Sequence, residues 1–277
     1  MSKNNNQDTF GEKVSVTMDE LFAKAKNKSE FEYVCALLRI RGFEDQGWDP
    51  LNETLELFND MTNLIQAPLR DSTRLRICLL VYCHVTEVDA IYSIIENMLR
   101  IIEGERASTD PFWDLYKPRK KKKEISRTFN LQPLSKKRIV NRLIEHASKL
   151  KENEVSEIIK EMYNDDVRNS FYHSDYIIYK DEYRICNSKS DLGGLVASTI
   201  KISDLLVTIN NGIHYYQAFM AVYSKHIISY KEPKIVCGHI SGKENDPEPI
   251  ELLVDSKKGV YGFKTPPSKE LLEKEAK

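Results

Sequence analysis

The fold is decided by the run NEVSEIIKEMYNDDVRNSFY, from Asn153 to Tyr172, and by HSDYIIYKDEYRIC, which follows it from His173 to Cys186. In the first run, apolar residues recur at steps of three and four, which predicts one amphipathic helix. The second run is rich in Tyr and Ile around a polar Lys-Asp-Glu, which predicts a short β-hairpin. We therefore expect an exposed junction between helix and hairpin, held from both sides.

Three polar residues near that junction have side chains suited to catalysis: Arg168, Asn169 and His173. An arginine such as Arg168 can hold a phosphate through two hydrogen bonds. The imidazole of a histidine such as His173 can accept or donate a proton at cellular pH. On an ideal helix these two residues lie roughly 140° apart, so one helix does not aim both at one phosphate. Two copies of the helix about a twofold axis could do so together.

We predict that His173 transfers protons and that Arg168 binds the phosphate and stabilises transition-state charge. Asn169 would orient His173 or a phosphate oxygen. An alternative reading of the same residues is structural: Arg168 pairs with Asp165 or Asp166, and His173 caps the helix end, where positive charge suits the dipole. The residues predicted to support the site are Asp166, Tyr172 and Tyr176.

The run from Val167 to Tyr176 resembles the signature of HEPN domains, which are small all-helical modules with an Arg, a polar residue and a His in this spacing. The resemblance extends over about Lys136 to Tyr230. It implies a dimeric, metal-independent ribonuclease without a cofactor, in which paired motifs face each other and 2′-OH attack leaves a cyclic phosphate. Many members are toxins or antiphage effectors. Some have lost activity, so a non-catalytic module that binds RNA or a protein is the alternative.

In one subset of that family, an antitoxin modifies a tyrosine two residues after the histidine. Here position 175 is an aspartate, and the tyrosine follows one position later, at Tyr176. The departure puts that mode of control in doubt and leaves the nuclease prediction untouched. An antitoxin or a sensor protein is nevertheless a candidate partner.

The net charge of −1 conceals a basic stretch. From Lys117 to Glu152 the 13 Lys and Arg residues face three acidic ones. We predict that this stretch holds the backbone of RNA, either tRNA or mRNA, although a solvated loop is the alternative. Phe112, Trp113 and Tyr116, just before it, either anchor the chain on the fold or stack on bases. The predicted RNA-binding residues are Arg119, Lys120, Lys121, Lys122, Lys123, Lys136, Lys137, Arg138 and Arg142.

These patterns predict a mainly α protein, and the resemblance implies a HEPN-type helical bundle with an N-terminal helical lobe and small β-hairpin additions. Two long helical segments are expected, from Ser72 to about Glu103 and from Ser203 to Tyr230. Gly212 would bend the second or admit a close backbone approach. The predicted divisions are a disordered leader (1–17), an N-terminal helical lobe (18–110), a basic linker (111–132), a HEPN-like helical core (133–232), and a β-hairpin appendage with a charged tail (233–277).

The remaining composition excludes several other classes. The five cysteines have no C-x-x-C spacing, which disfavours a disulfide framework and a zinc ribbon. The first thirteen residues are polar and do not form a signal peptide, and no run of eighteen apolar residues occurs. We therefore expect a cytoplasmic protein that does not interact with membranes.

Overall fold

A computed structural model describes residues 5–39, 50–116, 135–187, 196–239 and 247–264. Within these ranges the chain is mainly helical and has two three-stranded antiparallel sheets, which confirms the mainly α prediction. The helices are α1 (Asn5–Lys28), α2 (Glu30–Leu38), α3 (Pro50–Ile65), α4 (Asp71–Val85), α5 (Asp89–Glu103), α6 (Lys136–Lys149), α7 (Asn153–Met162), α8 (Asp165–Tyr172) and α9 (Ile202–Ile228). The strands are β1 (Tyr176–Tyr179), β2 (Glu182–Asn187), β3 (Val196–Lys201), β4 (Lys234–Gly238), β5 (Glu248–Asp255) and β6 (Gly259–Lys264).

The predicted disordered leader is wrong for residues 5–17, because α1 begins at Asn5. Phe10, Val14 and Met18 are buried, and α1 packs along α9. The polar composition of this segment concealed a narrow apolar stripe at steps of four residues, which suffices to dock a helix on a core. Residues 1–4 lie outside the described residues.

The main hydrophobic cluster extends from Phe10 to Val260 and includes residues of both predicted lobes. Buried residues of α1, α5, α6, α7 and α9 pack in this one cluster. The predicted division into an N-terminal lobe (18–110) and a separate core (133–232) therefore needs correction: the described parts of both share a core. A second, smaller cluster joins α4, α8, β2 and α9 beneath the first sheet.

The segment predicted as one helix from Ser72 to Glu103 is two helices, α4 and α5, separated by a short corner at Thr86–Val88. The corner is stabilised by side chains: the hydroxyl of Thr86 donates to the carbonyl of Cys83 (3.0 Å), and the hydroxyl of Tyr92 donates to the carbonyl of Thr86 (2.9 Å). These bonds satisfy backbone groups that a continuous helix would otherwise pair. Within the described ranges no single helix is long and apolar enough to cross a membrane, while α4 and α5, taken together as a bent pair, pass that test.

The segment from Asn153 to Tyr172 is likewise two helices, because the chain breaks between α7 and α8. Asn164 is the N-cap of α8, and its side chain accepts the N–H of Val167 (3.0 Å). The hydroxyl of Tyr82 accepts the N–H of Asn164 (2.8 Å) and donates to the carbonyl of Met162 (3.2 Å). The prediction of one helix is therefore wrong, and the motif lies on a helix of eight residues.

The predicted hairpin is confirmed by the pairing of β1 with β2, in which Ile177 lies opposite Arg184. A third strand, β3, which the sequence patterns did not predict, pairs with the other edge of β2. The sheet packs on α8: the ring of Tyr176 stacks on both Phe171 and Tyr183, with ring centres 5.7 and 5.0 Å away. Helix and hairpin thus hold the junction from two sides.

Helix α9 is continuous through Gly212, so the glycine does not end it. A Cβ atom at Gly212 would lie 2.5 Å from Cδ2 of Tyr82, which no real side chain tolerates without movement. Of the two predicted roles of Gly212, the close backbone approach is the one observed. In the C-terminal region, β4 pairs with the β5–β6 hairpin to form the second sheet, and residues 265–277 lie outside the described residues.

Candidate functional site

The motif occupies the second half of α8 and its C-terminal cap. His173 is the C-cap residue, with a helical backbone (φ −89°, ψ 0°), and its side chain is exposed. Ser174 then turns the chain in the left-handed region (φ 58°), and the N–H of Asp175 donates to the carbonyl of Ser170 (2.9 Å). No described residue makes a hydrogen bond to the imidazole of His173, which leaves both ring nitrogens open to a ligand.

Arg168 is partly buried and held by neighbouring side chains. Its Nε donates to the carboxylate of Glu87, its Nη1 donates to Oδ1 of Asn169 (2.7 Å), and its guanidinium lies 5.8 Å from the ring centre of Tyr172. Burial lowers the pKa of Arg168, but attraction to Glu87 outweighs this and holds the pKa above its ordinary value. Within the described part of the chain, Nη2 has no partner. The Nη2 group therefore remains free to donate to a phosphate.

Arg168 does form an ion pair, but its partner is Glu87. The structural alternative, which predicted Asp165 or Asp166 as the partner, is therefore wrong on this point. Asp165 instead accepts a hydrogen bond from the hydroxyl of Tyr163 (3.0 Å) and forms an ion pair with Lys137 (3.3 Å). The sequence patterns did not identify Glu87 as this partner. It lies in the α4–α5 corner, and the apolar periodicity predicted a continuous helix through that corner.

Glu87 is also tied to α6. Its carbonyl accepts a hydrogen bond from Nζ of Lys136 (3.1 Å), and its carboxylate lies 3.9 Å from the same ammonium. The Lys136 side chain is 4% exposed, pairs with Asp89, and lies 5.1 Å from the ring centre of Tyr92. The predicted RNA contact of Lys136 therefore needs correction. A buried, paired ammonium fixes the corner that holds Arg168 and offers nothing to a phosphate.

The structure also changes the roles that were predicted for Asn169 and Asp166. The Oδ1 of Asn169 accepts from Arg168, so its side chain orients the arginine and not His173. Asp166 is exposed in the first turn of α8, where a negative charge suits the dipole. It lies seven residues before His173, about 10 Å along the helix axis, so the two side chains are not brought together.

The two supporting tyrosines differ in accessibility. Tyr172 is exposed next to His173, and the surface it does bury raises the pKa of its hydroxyl to about 12, so this hydroxyl stays protonated near neutral pH. Tyr176 is half-buried in the stack with Phe171 and Tyr183. Tyr176 therefore supports the position of the motif through packing.

The remaining basic residues predicted to bind RNA fall into two groups. On α6, Arg138 donates to the carbonyl of Leu115, and Arg142 lies 3.5 Å from Glu96 and 3.7 Å from Asp114. Lys137 keeps 60% of its side chain exposed while pairing with Asp165. Intramolecular partners thus offset part of this charge. The residues Arg119, Lys120, Lys121, Lys122 and Lys123 lie outside the described residues.

A second polar cluster, which the sequence analysis did not single out, connects α5 to α6. His146 is buried between two carboxylates, with Nδ1 2.9 Å from Glu96 and Nε2 3.0 Å from Glu103. The hydrogen bond to Glu96 is the largest effect on the pKa of His146. Together with Glu103 it outweighs burial and holds that pKa above its ordinary value. Among the described residues, no group of three or more His, Cys, Asp and Glu side chains has the arrangement of a metal site.

The motif therefore combines an exposed imidazole, a charged guanidinium whose Nη2 is open, and an amide that orients the guanidinium. An imidazole can move a proton, and a guanidinium can hold a phosphate. Comparisons of the chain with protein-family profiles, with curated proteins and with solved structures found no match. The chemistry of these side chains is thus the basis on which a function can be inferred.

Proposed function

We propose that this protein is a metal-independent RNA endonuclease of the HEPN type that acts as a homodimer. The observation that carries the proposal is the imidazole of His173, exposed and without a described hydrogen-bond partner. His173 caps the eight-residue helix that carries Arg168, whose Nη2 is also open. An exposed imidazole without a described partner is accessible to the ribose of an RNA.

In the proposed reaction, the imidazole of His173 takes the proton of a ribose 2′-hydroxyl, and the 2′-oxygen attacks the adjacent phosphorus. The bond from phosphorus to the 5′-oxygen breaks, and that oxygen takes a proton from the imidazolium of the second copy. The products are a 2′,3′-cyclic phosphate and a 5′-hydroxyl, so no water or redox partner is consumed. Arg168 stabilises the negative charge that accumulates on the phosphoryl oxygens.

The need for two copies follows from where the side chains are directed. Arg168 is drawn towards the α4–α5 corner by Glu87, whereas His173 projects at the exposed end of α8. Because five residues of helix turn through about 500°, the two side chains leave the axis in directions roughly 140° apart. A groove between two copies of α8 would bring two histidines and two arginines to one phosphate.

The resemblance to HEPN domains further suggests a toxin or an antiphage effector that cleaves tRNA or mRNA in the cytoplasm. A second candidate function is a non-catalytic HEPN module that binds RNA or a protein. One observation favours this second candidate: Arg168 already has a carboxylate partner in Glu87, and that ion pair also serves to fix α8 on the α4–α5 corner. The two candidates differ in whether His173 changes any bond in RNA.

The test is incubation of the purified protein with tRNA and with mRNA fragments in EDTA, together with light scattering to determine the mass in solution. We expect a dimer that produces cyclic phosphate ends, and a folded His173→Ala variant that does not. If the wild-type dimer leaves every RNA intact, the catalytic proposal is rejected. Retained RNA binding in that case would favour the non-catalytic module. A strictly monomeric active enzyme would reject the shared groove.

A further inference from the structure

The 3-10 turn Trp113–Leu115 lies between α5 and α6. Its first residue, Trp113, and its N-cap, Phe112, are adjacent aromatic residues that differ in exposure. Phe112 is 4% exposed and packs in the main cluster, whereas Trp113 is 60% exposed. The sequence left open whether this aromatic group anchors the chain or meets a ligand. The structure divides the two roles: Phe112 is the anchor, and Trp113 is free to meet a ligand.

The chain that leads to Trp113 is firmly held. The buried amide of Asn97 pairs with both backbone groups of Ser108, donating to its carbonyl (2.9 Å) and accepting its N–H (2.8 Å). The carboxylate of Glu32 accepts the N–H of Ala107 (2.8 Å), and Asp110 accepts the N–H of Phe112 (3.3 Å). An exposed indole on so constrained a backbone loses little conformational entropy when it binds a flat ligand.

Cationic side chains connect the turn to the motif helix. Arg138 donates to the carbonyl of Leu115, and Arg142 lies 3.7 Å from Asp114, so α6 is joined directly to the turn. Next to Arg138 on α6, the exposed Lys137 pairs with Asp165 at the start of α8. Helix α6 thus carries cations that contact the turn on one side and the start of α8 on the other, with part of their charge offset by these partners. A polyanion binds to cations of this kind.

We propose that Trp113 stacks on an unpaired base of single-stranded RNA. The inference rests on the proposed function in so far as RNA is the ligand, and it adds that the strand is unpaired. The ring of Tyr116 approaches the indole at a tilt of 45°, with ring centres 5.7 Å apart, so it does not cover a face of the indole as a parallel ring would. A base can take that place, and aromatic stacking accepts any base.

The experiment uses the fluorescence of Trp113 itself. The chain has two tryptophans, and Trp48→Phe makes Trp113 the sole reporter. The probe is a 12-residue 2′-O-methyl oligonucleotide, which cannot be cleaved by 2′-OH attack, offered single-stranded or annealed to its complement. We expect saturable quenching by the single strand and little by the duplex. In the otherwise wild-type chain, Trp113→Ala should weaken binding about 5- to 100-fold, and Trp113→Phe should weaken it less.

A matched control is Tyr261→Ala, because Tyr261 is 61% exposed on β6 of the other sheet and should leave affinity unchanged. Cleavage of unmodified RNA is measured separately. Quenching without cleavage supports the stacking site and rejects the nuclease, whereas cleavage without quenching rejects only the stacking site. The inference would be overturned if the duplex quenched as strongly as the single strand, or if Trp113→Ala bound with unchanged affinity. It would also be overturned if the fluorescence changed with protein concentration but not with RNA. The last result would indicate a contact between copies.

Discussion

The carboxylate of Glu87 accepts a hydrogen bond from Nε of Arg168 across 81 positions of sequence. Glu87 is itself held at the α4–α5 corner by the buried ammonium of Lys136. Because Nε alone is occupied by Glu87, the contact fixes the plane of the guanidinium and leaves Nη2 open. Glu87 is thus a positioning residue for the proposed reaction.

Glu87→Gln should reduce RNA cleavage about tenfold or more, because a small misplacement of a phosphate-binding group is costly. The effect should appear in single-turnover rate with little change in RNA affinity. The conservative Glu87→Asp should recover part of the rate. Glu105→Gln, which removes a more exposed carboxylate paired with Arg100, is the matched control and should behave as wild type. Equal rates in Glu87→Gln and wild type would show that Arg168 needs no such support.

His173→Ala should lower the rate of RNA cleavage about 100-fold or more, because it removes the group that transfers the proton. The melting temperature should stay within about 2 °C of wild type, since the exposed ring has no described hydrogen-bond partner. His239→Ala, which replaces a histidine just after β4, is the control and should retain full activity. A large fall in stability in His173→Ala would mean that the ring has a structural role.

The sequence identified the motif but not the shape of the element that carries it. Apolar periodicity runs unbroken through Asn164, and only the Asn-Asp-Asp run beginning there, typical of a helix N-terminus, could have marked the break. The partner of Arg168 could not be predicted from the sequence, for a different reason. Glu87 meets it through packing of distant segments, and no local pattern encodes that contact. The apolar stripe of α1 at Phe10, Val14 and Met18 was visible but was outweighed by polar composition.

The cluster around His146 predicts a pH dependence of stability. Since its partners hold the folded pKa of His146 above the ordinary value, folding favours the protonated form, and the added stability is full below about pH 6.5. It is lost as the pH rises through the raised folded pKa. His146→Gln should cost roughly 2–3 kcal/mol at pH 6, because the fully buried Glu96 loses its closest partner, and less at pH 9.

The measurement is the urea midpoint of wild type and His146→Gln between pH 6 and pH 9. Arg142 also faces Glu96, and Lys149 also faces Glu103. His226→Gln is the contrasting control, since burial holds the pKa of His226 below its ordinary value and gives the opposite sign. A difference between wild type and His146→Gln that does not vary with pH would contradict a raised pKa.

Gly212→Ala should destabilise the protein by about 1–3 kcal/mol, because the new Cβ would press on the ring of Tyr82. Tyr82 also bridges the α7–α8 break, so the variant should slow cleavage as well. Gly11→Ala is the matched control in α1, where a Cβ would meet nothing closer than 3.9 Å. It should be neutral or stabilise by up to about 1 kcal/mol through helix propensity. Equal effects of both changes would mean that Tyr82 can move aside.

Replacing Lys120 to Lys123 with serine should weaken RNA binding and flatten its dependence on salt. These residues lie outside the described residues, so the prediction rests on their charge alone. Each phosphate contact to a single strand contributes about 0.7 to the slope of log affinity against log salt, so losing four lowers it by up to about 3. Lys257 and Lys258, in the exposed β5–β6 turn, provide the control pair for replacement with serine. If both variants bind as wild type at all salt concentrations, the basic run is a solvated loop.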